Sequence, residues 1–589
     1  GKLRPGNREK QSRGASLDQG VRKVLLSLAR KGLVASQPSF NRAGRWLSYM
    51  AAGSKVDYRT IFFATRDSHG KLQYRSREEI VTMFDSVYKS VAMDPLYHEY
   101  LHEIEMSERE KIGPMSMFEP WEKDGPNKAK AVFRDKPQLP GFDVAAWGRA
   151  LDRTQSLVKS QSCELISPMD AINGTGADTY DGMDTSTNSG TPWWRRKWKP
   201  SGGANGEAGS IGEEEETNLV FQWYKSRVEQ LVPLLSKKVD ISQLPYWYAT
   251  ASQRLVQRGP KPFDPKSKRL VEAYPKEEAI LCKMFTLNVM QAMREVKLPG
   301  GNRLMCAWFD LPTVDTNMQY ILDHAAKNSW TVNSGDISNF DATVPPWVLW
   351  DVGRMVATWV KGGQNFVENL VKAMVYRTIL ITPSGLLGPG PSSMKSGSGL
   401  TNLLGSLANA TMQFYGEEIG LYSLSCLSVL GDDFISCGSN VNPDTTSLTF
   451  ASFGMEAHPD KQYYQPNTLQ YLKRLHVRGL PGGIASVYRT LGSCLSLERL
   501  AVKPKEWNKF AYVVQALSKL NNAQFNPGFT DLVTFLGTGD RLHLGAEMTP
   551  QEVVSSSGSA GQKILMEDAR HSWKRMGDDM SFANWPVNG

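Results

Sequence analysis

The chain has no C-x-x-C pair, and its six cysteines (Cys163, Cys282, Cys306, Cys426, Cys437 and Cys494) are scattered through 589 residues. That spacing argues against a zinc cluster or a disulfide framework, so the cysteines read as reduced thiols. No apolar stretch reaches the roughly 18 to 20 residues that span a bilayer, and no signal-peptide pattern opens the sequence. Gly1 in place of Met reads as a processed or engineered start. No repeat of solenoid period is visible. Acidic residues are scarce early on. Between Lys2 and Arg59 only Glu9, Asp18 and Asp57 stand against many Lys and Arg. Such a segment suits phosphate contact or a solvated basic arm, although the net charge of the whole chain is only +8.

What is present is the composition of a folded protein, 41% hydrophobic and 10% aromatic. The length fits three or four average domains or one large enzyme. Ser16 and Gln19 form a capping box ahead of Leu17, Val21, Val24, Leu25 and Leu28, predicting an amphipathic helix. Gly70 to Lys111 reads mostly helical. Gly174 to Glu216 is rich in Gly, Ser, Thr and Asn and ends in Glu213 to Glu216, which predicts a loop or insertion interrupted by TPWWRRKWKP. Trp330 to Val332 reads as a short strand leading into Asp336. Pro345 and Pro346 open a helix with the apolar face Val348, Val352, Met355, Val356 and Trp359. A second helix carries Leu400, Leu403, Leu404 and Leu407, with Gly405 and Ala408 permitting a close neighbour. Leu424 to Leu430 and Phe434 to Cys437 read as the arms of a hairpin. After Gly479 the chain reads as helices such as Trp507 to Leu520, then a Ser/Gly linker from Val554 to Gly561 and a tail bearing Phe582 and Trp585.

The chemistry lies between these elements. In SGDISNFDATVP, Asp336 sits at a strand end, placed to ligate metal, and Asp341 lies past the turn, placed to reach a sugar. In LSVLGDDFISCG, Gly431 permits the tight turn that exposes Asp432 and Asp433. Carboxylates at two strand tips can share two divalent cations against a nucleoside triphosphate. The tripeptide alone decides nothing, because Gly577-Asp578-Asp579 repeats it with no apolar strand on either side. Between the two acidic sites lies KSGSGLTN, Lys395 to Asn402, whose Ser, Thr and Asn side chains could recognise a ribose 2′-hydroxyl.

This order resembles the palm of viral RNA-dependent RNA polymerases, with motif A at Asp336/Asp341, motif B at Ser396-Gly397 and Thr401-Asn402, and motif C at Gly431-Asp432-Asp433. FGMEAHPDKQYY resembles motif D and implies that Lys461 is the general acid toward pyrophosphate. LQYLKRLHV resembles motif E, with Leu472, Lys473 and Arg474 in the strand that grips the primer end. KSKRLVEAYPKEEAI resembles motif F, with Arg269 on the incoming base and Lys266 and Lys268 toward the triphosphate. NSGTPWW resembles motif G, which would set Ser189, Gly190, Thr191 and Pro192, together with Gly397, against the template. Motif B departs from the commoner pattern in carrying Gly405 where many relatives have asparagine. The forms of motifs A and B look most like small double-stranded RNA viruses, picobirnavirus first and partitivirus second.

The resemblance implies an α+β fold, a closed right hand with an antiparallel palm sheet backed by helices. It implies an N-terminal segment (1–100) bridging fingers and thumb, fingers over 101–300 with part of 362–394, a palm over 301–475, and a thumb with tail over 476–589. It implies RNA synthesis by two Mg²⁺ or Mn²⁺ ions on Asp336 and Asp432 with Asp433 in support, while Asp341, Ser396, Thr401 and Asn402 handle the nucleotide. Template and nascent RNA, NTPs and the viral capsid protein are the implied partners of a monomer in the virion interior or host cytoplasm, without a membrane anchor and with de novo initiation. A reverse transcriptase or other palm polymerase, and an inactive RNA-packaging protein, are the rival readings.

Overall fold

The computed structural model describes residues 19–52, 62–112, 119–175, 182–185, 187–200, 211–255, 268–495, 508–543, 547–548, 552–558 and 561. At its centre is an antiparallel four-stranded sheet in the order Tyr463–Tyr464, Asn333–Gly335, Asp433–Ser439, Ser423–Leu430. Both faces of the two long strands are covered, so their apolar residues divide between two cores by the period of two. Cys426, Ile435 and Cys437 face helix Leu311–Lys327, where Val314, Met318 and Ile321 lie. Leu427, Val429 and Phe434 face the main core with Leu403 and Leu407 of helix Thr401–Glu418. Pro346 opens helix Pro346–Ala357, where a missing N–H costs nothing.

A second sheet runs in the order Lys268–Ala273, Trp247–Leu255, Thr378–Thr382, Gly385–Leu387, its middle pair parallel. A third joins Thr468–Tyr471, Arg474–Val477 and Ile484–Ala485. The N-terminal part of the chain touches both ends of the molecule. Helices Gln19–Arg30 and Gln37–Ala52 bury Val21, Val24, Leu25, Leu28 and Leu47 against Tyr248, Ile379 and Ile381 of the second sheet. Residues 62–112 pack instead on helices Val487–Leu495, Lys509–Leu520 and Phe529–Gly539, with Phe84 5.1 Å from Tyr488 between ring centroids. Leu101 and Glu105 of the stretch Tyr97–Lys111 bury in that same C-terminal region.

Several expectations shift. The strand before Asp336 is Asn333–Gly335, not Trp330 to Val332. Glu213 to Glu216 belong to helix Ile211–Leu235 rather than to a loop. Residues 552–558 are helical with Val553 buried, so the expected linker is in part an ordered element. Ser16, Leu17, Lys266, Gly577-Asp578-Asp579, Phe582 and Trp585 lie outside the described residues. All six cysteines are free and buried.

Candidate active site

Strand register brings the acidic residues together. Gly335 pairs with Phe434, and Leu430 pairs with Asp433 across a two-residue turn. Asp336, one step past its strand end, thus emerges beside Asp432 and Asp433. Gly431 has φ 56°, as the first central position of a tight hairpin turn requires, and a Cβ there would meet nothing within 4 Å, so the glycine serves the backbone alone. The turn is held from behind. The Gly431 N–H donates to Ser406 Oγ at 2.9 Å, and Asn409 Nδ2 donates to the carbonyls of Gly431 at 2.9 Å and Asp433 at 3.3 Å. Gln413 Nε2 in turn donates to Asn409 Oδ1 at 2.9 Å, which fixes the amide. The sequence reading missed these residues. Their signal was Ser406, Asn409 and Gln413 at helical spacing on one face of an otherwise apolar helix. Gly405 needs no special backbone, since a Cβ there would make only an ordinary 3.5 Å contact with Phe340.

The carboxylates feel one another. Burial, then the charge of Asp432, pushes Asp433 up to about 7. Burial and then Asp336 raise Asp432. Burial and then Asp432 carry Asp341 up to about 6. Arg269 and Lys473 oppose the rise at both Asp432 and Asp433. A cluster of mutually repelling hard oxygens is a donor set suited to Mg²⁺ or Mn²⁺, which take one or two carboxylates and complete their shell with water and substrate phosphate. Among the described residues, no three His, Cys, Asp or Glu are grouped closely enough to hold a metal ion.

The Lys395–Asn402 loop lies against the second sheet. Ser396 is exposed, and its Oγ and N–H both donate to Glu272 Oε2, at 3.1 and 3.0 Å. Thr401 Oγ1 donates to the Lys395 carbonyl at 2.6 Å and closes the loop on itself. Asn402 is exposed, its Oδ1 3.4 Å from Trp308 Nε1. Arg269 is exposed on strand Lys268–Ala273, which Lys268 begins. Lys461, exposed, ends the short turn Pro459–Lys461, two residues before Tyr463 pairs with Ser334 of the Asp336 strand.

Two expectations fail on burial. Leu472 and Lys473, at φ 54° and 62°, form the turn between Tyr471 and Arg474 rather than part of a strand. Lys473 is exposed at that tip, whereas Arg474 is buried and paired with Asp315 at 2.9 Å, so it cannot grip a primer. Ser189, Gly190, Thr191 and Pro192 are likewise buried. Thr191 Oγ1 donates to the Tyr248 carbonyl at 3.0 Å, and Tyr224 Oη donates to the Ser189 carbonyl at 2.9 Å. Their side chains hold protein, not template. Arg196 and Lys197 are the exposed cations of that loop.

The family profile described as viral RNA-dependent RNA polymerase matches residues 227–521. No curated protein matches the sequence. Among solved structures, the RNA-dependent RNA polymerase of a human picobirnavirus is 20% identical with a TM-score of 0.67, covering 92% of this chain and 95% of that one. Its insertion-loop deletion mutant is 21% identical with a TM-score of 0.66, covering 89% and 96%. The Sicinivirus 3Dpol polymerase is 17% identical with a TM-score of 0.52, covering 73% and 87%. These likenesses confirm the right-hand α+β architecture.

Proposed function

The chain belongs to the viral RNA-dependent RNA polymerases and synthesises RNA on an RNA template, and from that premise we propose how its residues divide the work. Asp336 and Asp432 hold two divalent cations, Mg²⁺ or Mn²⁺, with Asp433 in support. Bound there, the cations would lower the pKa of a 3′-hydroxyl and neutralise charge on the α-phosphate and the departing pyrophosphate. The 3′-hydroxyl releases its proton to solvent, its oxygen attacks the α-phosphorus, the bond to the bridging oxygen of the β-phosphate breaks, and Lys461 gives its own proton to the pyrophosphate. Arg269, Lys266 and Lys268 hold the triphosphate, and Lys473 steadies the primer end. Asp341, Ser396 and Asn402 read the ribose, with Thr401 shaping the loop that carries Ser396. Supporting the division, Asp341 already feels both Asp432 and Arg269.

The second sheet belongs to fingers over 101–300 and part of 362–394, the central sheet to a palm over 301–475, and the C-terminal helices to a thumb over 476–589. The first 100 residues connect fingers to thumb. Among the described residues no helix is long and apolar enough to cross a membrane. The proposed setting is a monomer working with capsid protein in the virion interior or in the host cytoplasm.

The observation that carries this reading is the convergence of Asp336 and the Asp432-Asp433 turn at one end of a single sheet, opposed by Arg269 and Lys473. Purified chain with an RNA template, four NTPs and Mg²⁺ or Mn²⁺, without primer, is expected to yield full-length complementary RNA. EDTA should abolish the product and added Mg²⁺ restore it. Synthesis insensitive to EDTA would contradict the metal assignment.

A further inference from the structure

Beneath the Lys395–Gly399 loop lie three buried ionisable side chains that the chemistry above does not use. Glu272, Glu278 and Lys395 are 3%, 1% and 1% exposed, so each has left water completely. Glu272 takes the Ser396 N–H and Oγ on one carboxylate oxygen. Glu278 takes Ser398 Oγ at 2.8 Å, the Gly399 N–H at 3.1 and 3.2 Å, and Cys282 Sγ at 3.1 Å. Lys395 Nζ donates to Ser392 Oγ and interacts electrostatically with both glutamates.

The contact is too close for any side chain. A Cβ on Gly397 would sit 1.8 Å from the Glu272 carbonyl oxygen, and one on Gly399 would sit 2.8 Å from Cys282 Cβ. The first obstacle is backbone of a paired strand, so it cannot swing away. Two glycines thus let the loop wedge between strand Lys268–Ala273 and helix Lys276–Arg294, and two carboxylates fasten it there by its own amides. The charge of Asp341 also acts on Glu272, so this fastening lies within electrostatic reach of the sugar-reading residues. Carboxylates are costly to bury and hydrogen bonds to them are stronger than neutral ones, so a loop held this way has one position rather than several.

We propose that Glu272 and Glu278 are positioning residues for nucleotide selection: they fix the Ser396–Gly399 backbone against the strand that carries Arg269, so that Ser396 and Asn402 meet a ribose at one set distance. The inference rests on the reading of Ser396 and Asn402 given above. Burial lowers Lys395 to about 7, and the two glutamates oppose that fall, so the three groups are electrostatically linked.

The test compares steady-state incorporation of NTP and of the matching dNTP by wild type, Glu272→Gln and Gly397→Ala. Glu272→Gln removes the charge with little change of shape. Gly397→Ala leaves both glutamates intact and forces the loop off the strand. Both are expected to raise KM for NTP on the order of tenfold, the equivalent of one hydrogen bond to a charged group. The preference for NTP over dNTP should fall by a similar factor, with KM changing more than kcat. A purely structural role would lower kcat through loss of active protein and leave KM and the preference alone, and that result in both variants would overturn the inference. If Glu272→Gln does not fold, Gly397→Ala decides by itself. Wild-type protein that makes RNA without preferring NTP would overturn the ribose reading and this inference together; wild-type protein that makes none would overturn the function.

Discussion

At the scale of single residues, the acidic cluster carries a measurable cost. Asp433 holds its proton up to about 7 in the folded chain, against an ordinary carboxylate value of 3.8. The unfolded chain therefore loses that proton first as pH rises. Between roughly pH 4 and 7 the unfolded state binds fewer protons, so this group's contribution to stability falls and is least above pH 7. Asp433→Asn should therefore melt higher than wild type at pH 8 without divalent cations, and the gap should close at pH 5. Added Mg²⁺ should stabilise the wild type more than the variant, because ligation favours only the chain that keeps its carboxylates. Thermal unfolding at the two pH values checks both; a gap that does not change with pH would contradict the repulsion. These aspartates were legible in the sequence because glycine and the flanking apolar arms demand a hairpin. Arg474 was not, because neighbouring residues at a turn point different ways and sequence cannot say which cation turns inward. Only the buried partner Asp315 decides it.

At the scale of elements, helix Thr401–Glu418 does more than close the core. Ser406 and Asn409 hold the catalytic turn by its backbone. Asn409→Ala would strand two turn carbonyls and the Gln413 amide away from water, at a cost of about 1–3 kcal/mol. Denaturant unfolding should show that loss, while kcat falls and RNA affinity holds. Loss of RNA affinity with kcat intact would contradict the role. The helix itself was legible from its leucines at helical spacing. Its function was not, because a sequence pattern ranks Ser406 and Asn409 as imperfections of an apolar face until the hairpin is seen against them. The buried Ser189–Pro192 loop failed for a related reason: its composition is that of an exposed turn, and only packing beneath Tyr224 and Tyr248 encloses it.

At the scale of the molecule, one chain segment ties two distant regions. Glu105, buried, accepts from Ser486 Oγ at 2.9 Å, the N–H groups of Val487 and Tyr488 at 2.9 and 3.2 Å, and Asn526 Nδ2 at 3.1 Å. A carboxylate at the start of helix Val487–Leu495 serves as its cap, supplied from a sequence position nearly 400 residues away, which no local pattern could reveal. Glu105→Ala should cost about 1–3 kcal/mol of stability by leaving those donors unpaired, read by thermal unfolding. An unchanged melting temperature would show that the contact does not hold the ends together. The overall architecture was legible because the ordered series of motifs implied it. The most direct test of the central claim is nucleotide incorporation on an RNA template by Asp336→Ala and Asp432→Ala, with RNA binding measured alongside. Both variants should bind RNA as wild type does, since binding rests on basic surfaces, and neither should extend a chain. Normal incorporation by either variant would contradict the account.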